Sequence, residues 1–495
     1  MTMNYKEKLK TNRYRESSIQ GRDFNNEMES DRGRAINSAA VRRLQQKTQV
    51  FPLETNAAVR SRLTHSLEVQ QVGRYISKLI LKKLGDKFPP DLSDGFISAV
   101  EIACLLHDIG NPPFGHFGEE AINLWAKNYL KELFTKTHTN TDTIEFRDLL
   151  IRDLCSFEGN AQGIRLLHHI QGLNLTYTQL ACLIKYTRAA YEPKPEDNED
   201  NKNPFAYRKK KPGYYYTEND LYNKITQELS IQSGCRFPLT YIMEAADDIS
   251  YCIADIDDAI DKGILSIDKL HNEIKTTWRE LINDVNGSLI DDQNYLCDIA
   301  TLALANADKE QFNKSHAYML TIRTTLVNDL SNYAAERYIE NHNAIFNGDF
   351  DESLLDGSDK FHMATETLKN IAIQNVFNDR DVENLELKGY SVISGLLQQY
   401  SKLISLQYKQ FKSLVLNDRL KTHPIETRLY HKLSKKHKNT YLRAVKDIFE
   451  KEDDILECKD ILLEHYHRAK LIIDYISGMT DGFALEEYRN LSAAI

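Results

Sequence analysis

The spacing of apolar residues along the chain is that of α-helices. In the stretch from Pro238 to Lys262 the apolar residues recur at alternating steps of four and three, which places them on one face of a helix. These residues are Ile242, Ala246, Ile249, Ile253, Ile256 and Ile260. Pro238 at the start and Gly263 just past the end suit the two helix termini. Strand-like alternation is rare, so the pattern predicts an all-α fold.

The chemically informative residues are confined to the first half of the chain. Residues 1–61 form an N-terminal arm, and residues 62–263 contain the histidine and aspartate motifs described below. Residues 264–495 read as amphipathic helices joined by short polar segments. We therefore predict an arm, a catalytic core and additional C-terminal helices.

Composition excludes several classes of protein. With 41% hydrophobic and 27% charged residues, the chain resembles ordinary globular proteins. Its seven cysteines are scattered and never form a C-x-x-C pair, which argues against a disulfide framework or a thiolate zinc site. We find no secretory signal and no membrane-spanning stretch, and expect a cytoplasmic protein. A net charge of -9 leaves only local basic clusters for contact with polyanions.

Two segments bring histidine to the end of a predicted helix. In the run RLTHS, Thr64 can cap a helix whose first turn contains His65. A second, mostly apolar helix ends abruptly at His107 and Asp108. Polar groups at the buried end of an apolar helix are costly unless something satisfies them, and a divalent metal ion would do so. Either segment alone is more often structural.

Two further segments supply groups for proton transfer and charge binding. His116 and Glu119 are three residues apart, so in a helix they share a face and the carboxylate can orient the imidazole. Asp247, Tyr251 and Asp255 recur at spacings of four on another face of the helix that begins at Pro238. Acidic residues stacked in this way without cations favour a metal ion or a phosphate-bound cation as their partner.

Taken together, these motifs resemble one enzyme family. The pattern H…HD…D, the run HDIGNPPFGHFGE and the spacing D-x-x-x-Y-x-x-x-D are similar to the triphosphohydrolase branch of the HD superfamily. The runs FEGNAQGIRLL, KKPGYY, FPLTYIMEAADDISYC, ELKGYSVISGLL and YISGMTDGFA bring the chain closer to the bacterial deoxyguanosine triphosphate triphosphohydrolases. The resemblance extends from near residue 30 to about residue 484.

The resemblance implies a metal site and a proton-transfer pair. The metal ligands would be His65, His107, Asp108 and Asp247, holding Mg²⁺, Mn²⁺ or another first-row ion. His116 with Glu119 would serve proton transfer. The chain departs from many HD triphosphohydrolases at Asn111, where they have a second histidine, so the chemistry rests more heavily on His116.

The same resemblance implies a set of substrate contacts. The arm would contribute a sugar-binding loop, and residues 62–263 would form the HD metal-dependent phosphohydrolase core. The C-terminal region would contribute contacts to the base and the phosphates. The contacts are Gln49 and Val50 at the 3′-hydroxyl, Tyr251 beneath the deoxyribose, Arg62 beside the metal motif, Lys211, Asp255, Arg419 and Arg428 at the triphosphate, and Phe377 and Glu386 at the base. A carboxylate can accept two parallel N–H bonds from guanine, which the other bases cannot offer.

The expected reaction is hydrolysis of dGTP to deoxyguanosine and inorganic triphosphate, by attack of a metal-activated water on the α-phosphorus. One alternative is a phosphodiesterase or nucleotide pyrophosphohydrolase that shares H…HD…D. The other is a regulator that binds single-stranded nucleic acid and keeps a vestigial metal site. The resemblance also implies a homohexamer and single-stranded DNA as a partner.

Overall fold

The computed structural model describes residues 4–196, 203, 205–284, 292–452 and 455–492, and this part of the chain is helical. The α-helices are α1 (Tyr5–Lys8), α2 (Phe24–Ile36), α3 (Ala39–Arg43), α4 (Arg62–Leu84), α5 (Ser93–Leu106), α6 (Gly115–Trp125), α7 (Lys131–Thr137), α8 (Ile144–Leu154), α9 (Gly159–Arg165), α10 (Tyr177–Leu183), α11 (Asn219–Glu228), α12 (Pro238–Asp261), α13 (Ile267–Asp284), α14 (Tyr295–Ala307), α15 (Lys314–Glu340), α16 (His342–Asn347), α17 (Lys360–Ala372), α18 (Arg380–Ile404), α19 (Tyr408–Asn417), α20 (Pro424–Lys432), α21 (Lys435–Ala444), α22 (Lys446–Glu450), α23 (Cys458–Ser477) and α24 (Asp481–Ser492).

Short irregular elements complete the architecture. The 3₁₀ turns are Leu44–Gln46, Gly85–Lys87, Pro90–Leu92, Thr141–Thr143 and Tyr216–Glu218, and the π-helical turns are Ala126–Leu130, Leu166–Ile170 and Ile373–Phe377. Two short parallel strands, β1 (Arg188–Ala189) and β2 (Pro212–Tyr214), pair with each other. The predicted all-α fold is confirmed. None of the helices in the described ranges is both long and apolar enough to cross a membrane.

Two hydrophobic cores organise the helices. The first is formed by α2, α4, α5 and α10 to α17, and it also buries Tyr5 and Leu9 of the arm. The second joins α6 to α8 with α18 to α24. The helices that follow residue 263, α13 to α17, therefore pack on the same core as α4, α5 and α12.

Close helix contacts hold the metal motif in place. A Cβ added at Gly73 of α4 would lie 2.5 Å from Cys104 Sγ of α5, so these two helices approach to nearly backbone distance. A Cβ at Gly110 would lie 2.1 Å from the Gly159 carbonyl oxygen, so the segment that follows His107 and Asp108 packs directly against the start of α9. Glycine is required at such approaches because no side chain fits.

The helix boundaries explain where the motif residues lie. The cap of α4 is Ser61, whose Oγ accepts a hydrogen bond from Thr64 N at 3.3 Å, while Thr64 Oγ1 accepts one from Ser61 N at 3.0 Å. The prediction that Thr64 is the cap is wrong, because it is the third residue of a reciprocal capping box. His65 still lies in the first turn. The predicted end of α5 at His107 and the predicted end of α12 near Lys262 are confirmed, and so is the predicted start of α6 near His116.

Candidate active site

Three of the four predicted metal ligands gather at one point. The ligand atoms of His65, His107 and Asp247 all lie within 4.8 Å of one another. Asp247 Oδ1 is 3.4 Å from His65 Nε2 and 3.3 Å from His107 Nε2. The first turn of α4, the end of α5 and the middle of α12 thus bring two imidazoles to one carboxylate.

The geometry of His107 fits a cation. Its Nδ1 lies 2.7 Å from the Cys104 carbonyl oxygen and donates to it, which turns Nε2 toward Asp247. Nε2 is buried and makes no hydrogen bond of good geometry to any described residue. Burial lowers the pKa of His107, but Asp108 and Asp247 outweigh it and raise the pKa to about 9. A divalent cation would take the place of that proton.

Asp108 borders this cluster but is held by other partners. Arg62 Nη1 donates to its Oδ2 at 2.5 Å, and Asn111 Nδ2 donates to its Oδ1 at 2.7 Å. Its Oδ2 lies 3.6 Å from His107 Nε2. Burial raises the pKa of Asp108, but Arg62 and His107 outweigh it and leave the pKa below its usual value. The side-chain amide of Asn111 therefore orients the carboxylate of Asp108.

A cavity of about 550 Å³ opens above the cluster and collects most of the predicted site. The predicted residues that line it are Gln49, Val50, Arg62, His107, Asp108, His116, Glu119, Lys211, Asp247, Tyr251, Phe377 and Glu386. They come from the arm, the motif helices and the C-terminal region, so the fold unites segments that are hundreds of residues apart. Such a volume is typical of pockets for small-molecule ligands.

Three predicted contacts lie outside this cavity. Arg419 follows α19 on the surface, and Arg428 is exposed on α20, where its Nη1 donates to the Pro424 carbonyl oxygen at 2.8 Å. Asp255 is almost fully buried one turn beyond Tyr251, at 1% exposure. Burial raises the pKa of Asp255 well above its usual value, and both of its carboxylate oxygens are buried without a hydrogen-bond partner among the described residues. The predicted phosphate contacts of these three residues stay predictions.

His116 and Glu119 line the cavity but do not pair as expected. Glu119 accepts a hydrogen bond from Gly159 N at 3.2 Å, and within the described residues no hydrogen bond joins it to His116. Burial and the neighbouring Glu158 raise the pKa of Glu119 to about 7. Burial lowers the pKa of His116, and the nearby positive charges of Lys211 and Arg62 lower it further. The two groups therefore have pKa values displaced in opposite directions.

The structure adds polar residues that the sequence did not single out. Asn160, Lys185 and Tyr186 line the cavity together with Glu158. Lys185 Nζ lies 3.9 Å from Asp247 Oδ2 and 3.6 Å from Glu244 Oε1. Asn160 belongs to the run FEGNAQGIRLL, so family resemblance could have identified it from the sequence. Lys185 and Tyr186 lie just before β1, in a segment that contains no recognisable motif. Their place in the site follows from tertiary packing alone.

Four other residues that line the cavity are suited to contact with a sugar and a planar base. Gln49 Oε1 is buried without a hydrogen-bond partner among the described residues, so it offers an acceptor to a ligand. Burial and Asp255 raise the pKa of Tyr251, whose ring stays neutral beside the metal cluster. Phe377 ends a π-helical turn, and Glu386 lies on α18 with its pKa raised by burial and by Glu383.

Comparisons with known proteins agree with this geometry. The HD domain family matches residues 62–186, and a phosphohydrolase-associated domain matches residues 427–490. The chain is 47% identical to the deoxyguanosinetriphosphate triphosphohydrolase of Enterobacter sp. (strain 638), covering 94% of this chain and 93% of the relative. Identity is 46% to the protein of the same name from Yersinia pseudotuberculosis serotype O:3 (strain YPIII), covering 94% of both chains. It is 44% to that from Cronobacter sakazakii (strain ATCC BAA-894), covering 94% of this chain and 93% of the relative.

These matches extend over 94% of the chain and therefore span both matched domains. The chain belongs to the deoxyguanosinetriphosphate triphosphohydrolase family of HD-domain enzymes.

Proposed function

We propose that this chain hydrolyses dGTP to deoxyguanosine and inorganic triphosphate. The observation that carries the proposal is a single cavity whose lining includes His107 and Asp247 of the His/Asp cluster, the cations Arg62, Lys185 and Lys211, and the aromatic rings of Tyr251 and Phe377. The relatives that match along nearly the whole chain are named for the same reaction. A phosphodiesterase or a nucleic-acid regulator with a vestigial site would not account for this combination.

The metal ion would be held by His65, His107 and Asp247, with Asp108 beside them. Two imidazole nitrogens and carboxylate oxygens suit Mg²⁺, Mn²⁺ or another first-row divalent ion better than a thiolate-seeking metal. When bound, such an ion neutralises charge on the reacting phosphate and increases the acidity of water. The buried Nε2 of His107, turned to Asp247 without a good hydrogen bond, is the observation in favour of this fit.

Cations near the cluster bind the triphosphate. Lys211 extends from the segment before β2, and its Nζ lies 3.6 Å from Glu158 Oε1. Lys185 and Arg62 stand on either side of the metal ligands, next to Asp247 and Asp108. The positive charges of these ammonium and guanidinium groups reduce the electrostatic repulsion between a polyphosphate and the nearby carboxylates of Asp108, Glu158 and Asp247.

Two ionisable groups handle the protons. Because the pKa of His116 is lowered, its ring is neutral near pH 7 and can accept a hydrogen bond from the attacking water. The pKa of Glu119 is raised to about 7, so a fraction of this carboxyl group is protonated there and can supply the leaving 5′-oxygen. Displaced pKa values of this kind are typical of an acid and a base in one site.

Other residues that line the cavity bind the sugar and the base. Gln49 Oε1 accepts from the 3′-hydroxyl beside Val50, and Tyr251 packs beneath the deoxyribose, where its ring leaves little room for a 2′-hydroxyl. Phe377 stacks on the base, and Glu386 accepts two N–H bonds from the guanine edge. The homohexamer, single-stranded DNA binding, cytoplasmic location and domain limits remain predictions from resemblance and sequence.

Product analysis tests the proposal. The protein is incubated with each of the four dNTPs and Mg²⁺ or Mn²⁺, and the products are separated by ion exchange. We expect intact triphosphate and deoxyguanosine from dGTP, and loss of the reaction in a chelator and in Asp247→Ala. Pyrophosphate or orthophosphate as the first product would contradict the proposal, and so would full activity in the metal-free Asp247→Ala protein.

A further inference from the structure

A buried carboxylate at the start of α24 contacts two loops of the active site at once. Asp481 is 2% exposed. Its Oδ2 accepts hydrogen bonds from Thr48 N at 3.0 Å and from Thr48 Oγ1 at 2.6 Å, and its Oδ1 accepts one from Phe114 N at 3.0 Å. Both oxygens are thus engaged, one by each loop.

Each of these loops leads directly into a cavity residue. Thr48 precedes Gln49, whose buried amide oxygen faces the proposed 3′-hydroxyl position. Phe114 lies two residues before His116 and adopts a left-handed backbone conformation with φ 61°. That conformation is unfavourable for a residue with a large side chain, so its backbone N–H bond to Asp481 holds the turn that aims His116.

Neighbouring contacts make this junction rigid. Lys47 is 4% exposed, and its Nζ donates to the Asn111 carbonyl oxygen at 2.5 Å and to the Ser477 carbonyl oxygen at 3.1 Å. The same two loops and the end of α23 are therefore tied a second time. The contacts at Lys47 and Asp481 bring together residues 47–48, 111–114 and 477–481.

Phe114 also links the junction to the base-binding helix. A Cβ at Gly389 of α18 would lie 2.5 Å from Phe114 Cβ, so the helix that carries Glu386 rests directly on this turn. Displacing Phe114 would therefore disturb both the proton-transfer histidine and the base wall.

We propose that Asp481 is a positioning residue that fixes the sugar-binding loop against the His116 loop. The inference rests on the proposed function for its substrate, and it assigns to the C-terminal domain a role in the chemistry of the HD core. Asp481 itself does not line the cavity and acts through Thr48 and Phe114. Without it, Gln49 and His116 would move independently, and a displacement of about 1 Å at reacting groups can cost a hundredfold in rate.

The test replaces Asp481 by asparagine, which keeps the size but sets an N–H₂ group against backbone and hydroxyl donors. The matched control is Glu487→Gln on the same helix. Glu487 is also buried, and it accepts from Tyr400 Oη at 2.7 Å and Lys432 Nζ at 2.9 Å, away from the site loops. Both variants lose charge-assisted bonds of α24, and Asp481→Asn alone loses the bonds to the two loops.

The kinetic readout compares kcat/KM for dGTP with that for the analogue lacking the 3′-hydroxyl. In the unchanged protein, their ratio measures the contact of Gln49 with the sugar. We expect Asp481→Asn to reduce this ratio by about tenfold or more, the effect of one misplaced hydrogen bond, and to lower kcat more than it raises KM. Glu487→Gln is expected to leave the ratio unchanged whatever it does to the melting temperature.

A second pair of variants addresses the same contact without touching Asp481. Thr48→Ser keeps the hydroxyl and is expected to keep the ratio, whereas Thr48→Val removes the hydroxyl and is expected to lower it. An unaltered ratio in Asp481→Asn, or an equal fall in Glu487→Gln, would overturn the proposal, because a purely structural carboxylate would give either result.

Hydrogen exchange separates this proposal from the proposed function. In Asp481→Asn, amide exchange is expected to rise in peptides spanning residues 44–52 and 111–118, and Glu487→Gln is expected to leave both unchanged. Unchanged exchange in both peptides of Asp481→Asn would refute the junction whatever the activity. If the unchanged protein forms no triphosphate from dGTP, the proposed function fails, while exchange still decides whether Asp481 joins the two loops.

Discussion

Replacing Glu386 by glutamine is expected to remove most of the preference for guanine. Glu386 lies on α18, is partly exposed and lines the same cavity as His107 and Asp247. A carboxylate there can accept from both N–H groups of the guanine edge. Glutamine keeps one acceptor but presents an N–H₂ group to the second guanine donor, so one bond is lost and two donors face each other.

The size of the effect follows from these two changes. A hydrogen bond to a charged group contributes about 1.5–3 kcal/mol, and the partial exposure of Glu386 favours the lower end of this range. Loss of one bond and an unsatisfied donor together amount to about 3 kcal/mol, or roughly a hundredfold in kcat/KM. Adenine has no such pair of donors, so turnover of dATP is expected to change little.

The assay is the ratio of kcat/KM for dGTP to that for dATP, measured for the unchanged protein and for Glu386→Gln. Glu383→Gln is the matched control, because Glu383 lies one turn away on α18 and is exposed. The control is expected to keep the ratio. An unaltered ratio in Glu386→Gln, or an equal loss in the control, would refute base reading by Glu386.

Three further perturbations test separate parts of the account. His116→Ala is expected to bind metal and dGTP but to lower kcat by roughly 10²–10⁴-fold, and unchanged turnover would show that His116 is structural. The pKa of His107 is raised to about 9, so the ring must lose a proton to bind a metal ion below that pH. Metal affinity measured by calorimetry is therefore expected to rise about tenfold per pH unit up to about pH 9, and an affinity independent of pH would contradict a metal-binding role for His107. Gly110→Ala is expected to lower stability by about 1–3 kcal/mol because its Cβ would meet the Gly159 carbonyl oxygen at 2.1 Å. Gly33→Ala, with no neighbour within 4 Å, is expected to raise stability by up to about 1 kcal/mol, and equal melting temperatures for the two variants would contradict the packing argument.

The sequence predicted those site residues that lie in strongly patterned helices. His65, His107 and Asp247 follow from helix ends and from one helix face, and the structure brings them together as the family resemblance implied. The cap of α4 was misplaced because Ser61 and Thr64 are both good capping residues, and only the reciprocal bonds distinguish them.

The remaining differences come from tertiary structure. Glu119 shares a helix turn with His116, but the approach of α9 offers it the Gly159 N–H instead. Lys185 lies in a segment with no motif just after α10, and the packing of α10 against α12 brings its Nζ to 3.9 Å from Asp247 Oδ2. Arg419 and Arg428 lie in exposed segments outside the cavity, and their predicted contacts with the triphosphate stay predictions. Local patterning thus locates the metal cluster, and long-range packing determines its neighbours.

Running the reaction in water enriched in heavy oxygen and measuring the mass of each product shows whether water attacks the α-phosphorus of dGTP and releases intact triphosphate. We expect one heavy oxygen in the triphosphate and none in deoxyguanosine, because the bond between phosphorus and the 5′-oxygen breaks. Heavy oxygen in deoxyguanosine, or label in pyrophosphate or orthophosphate formed in place of triphosphate, would contradict this expectation.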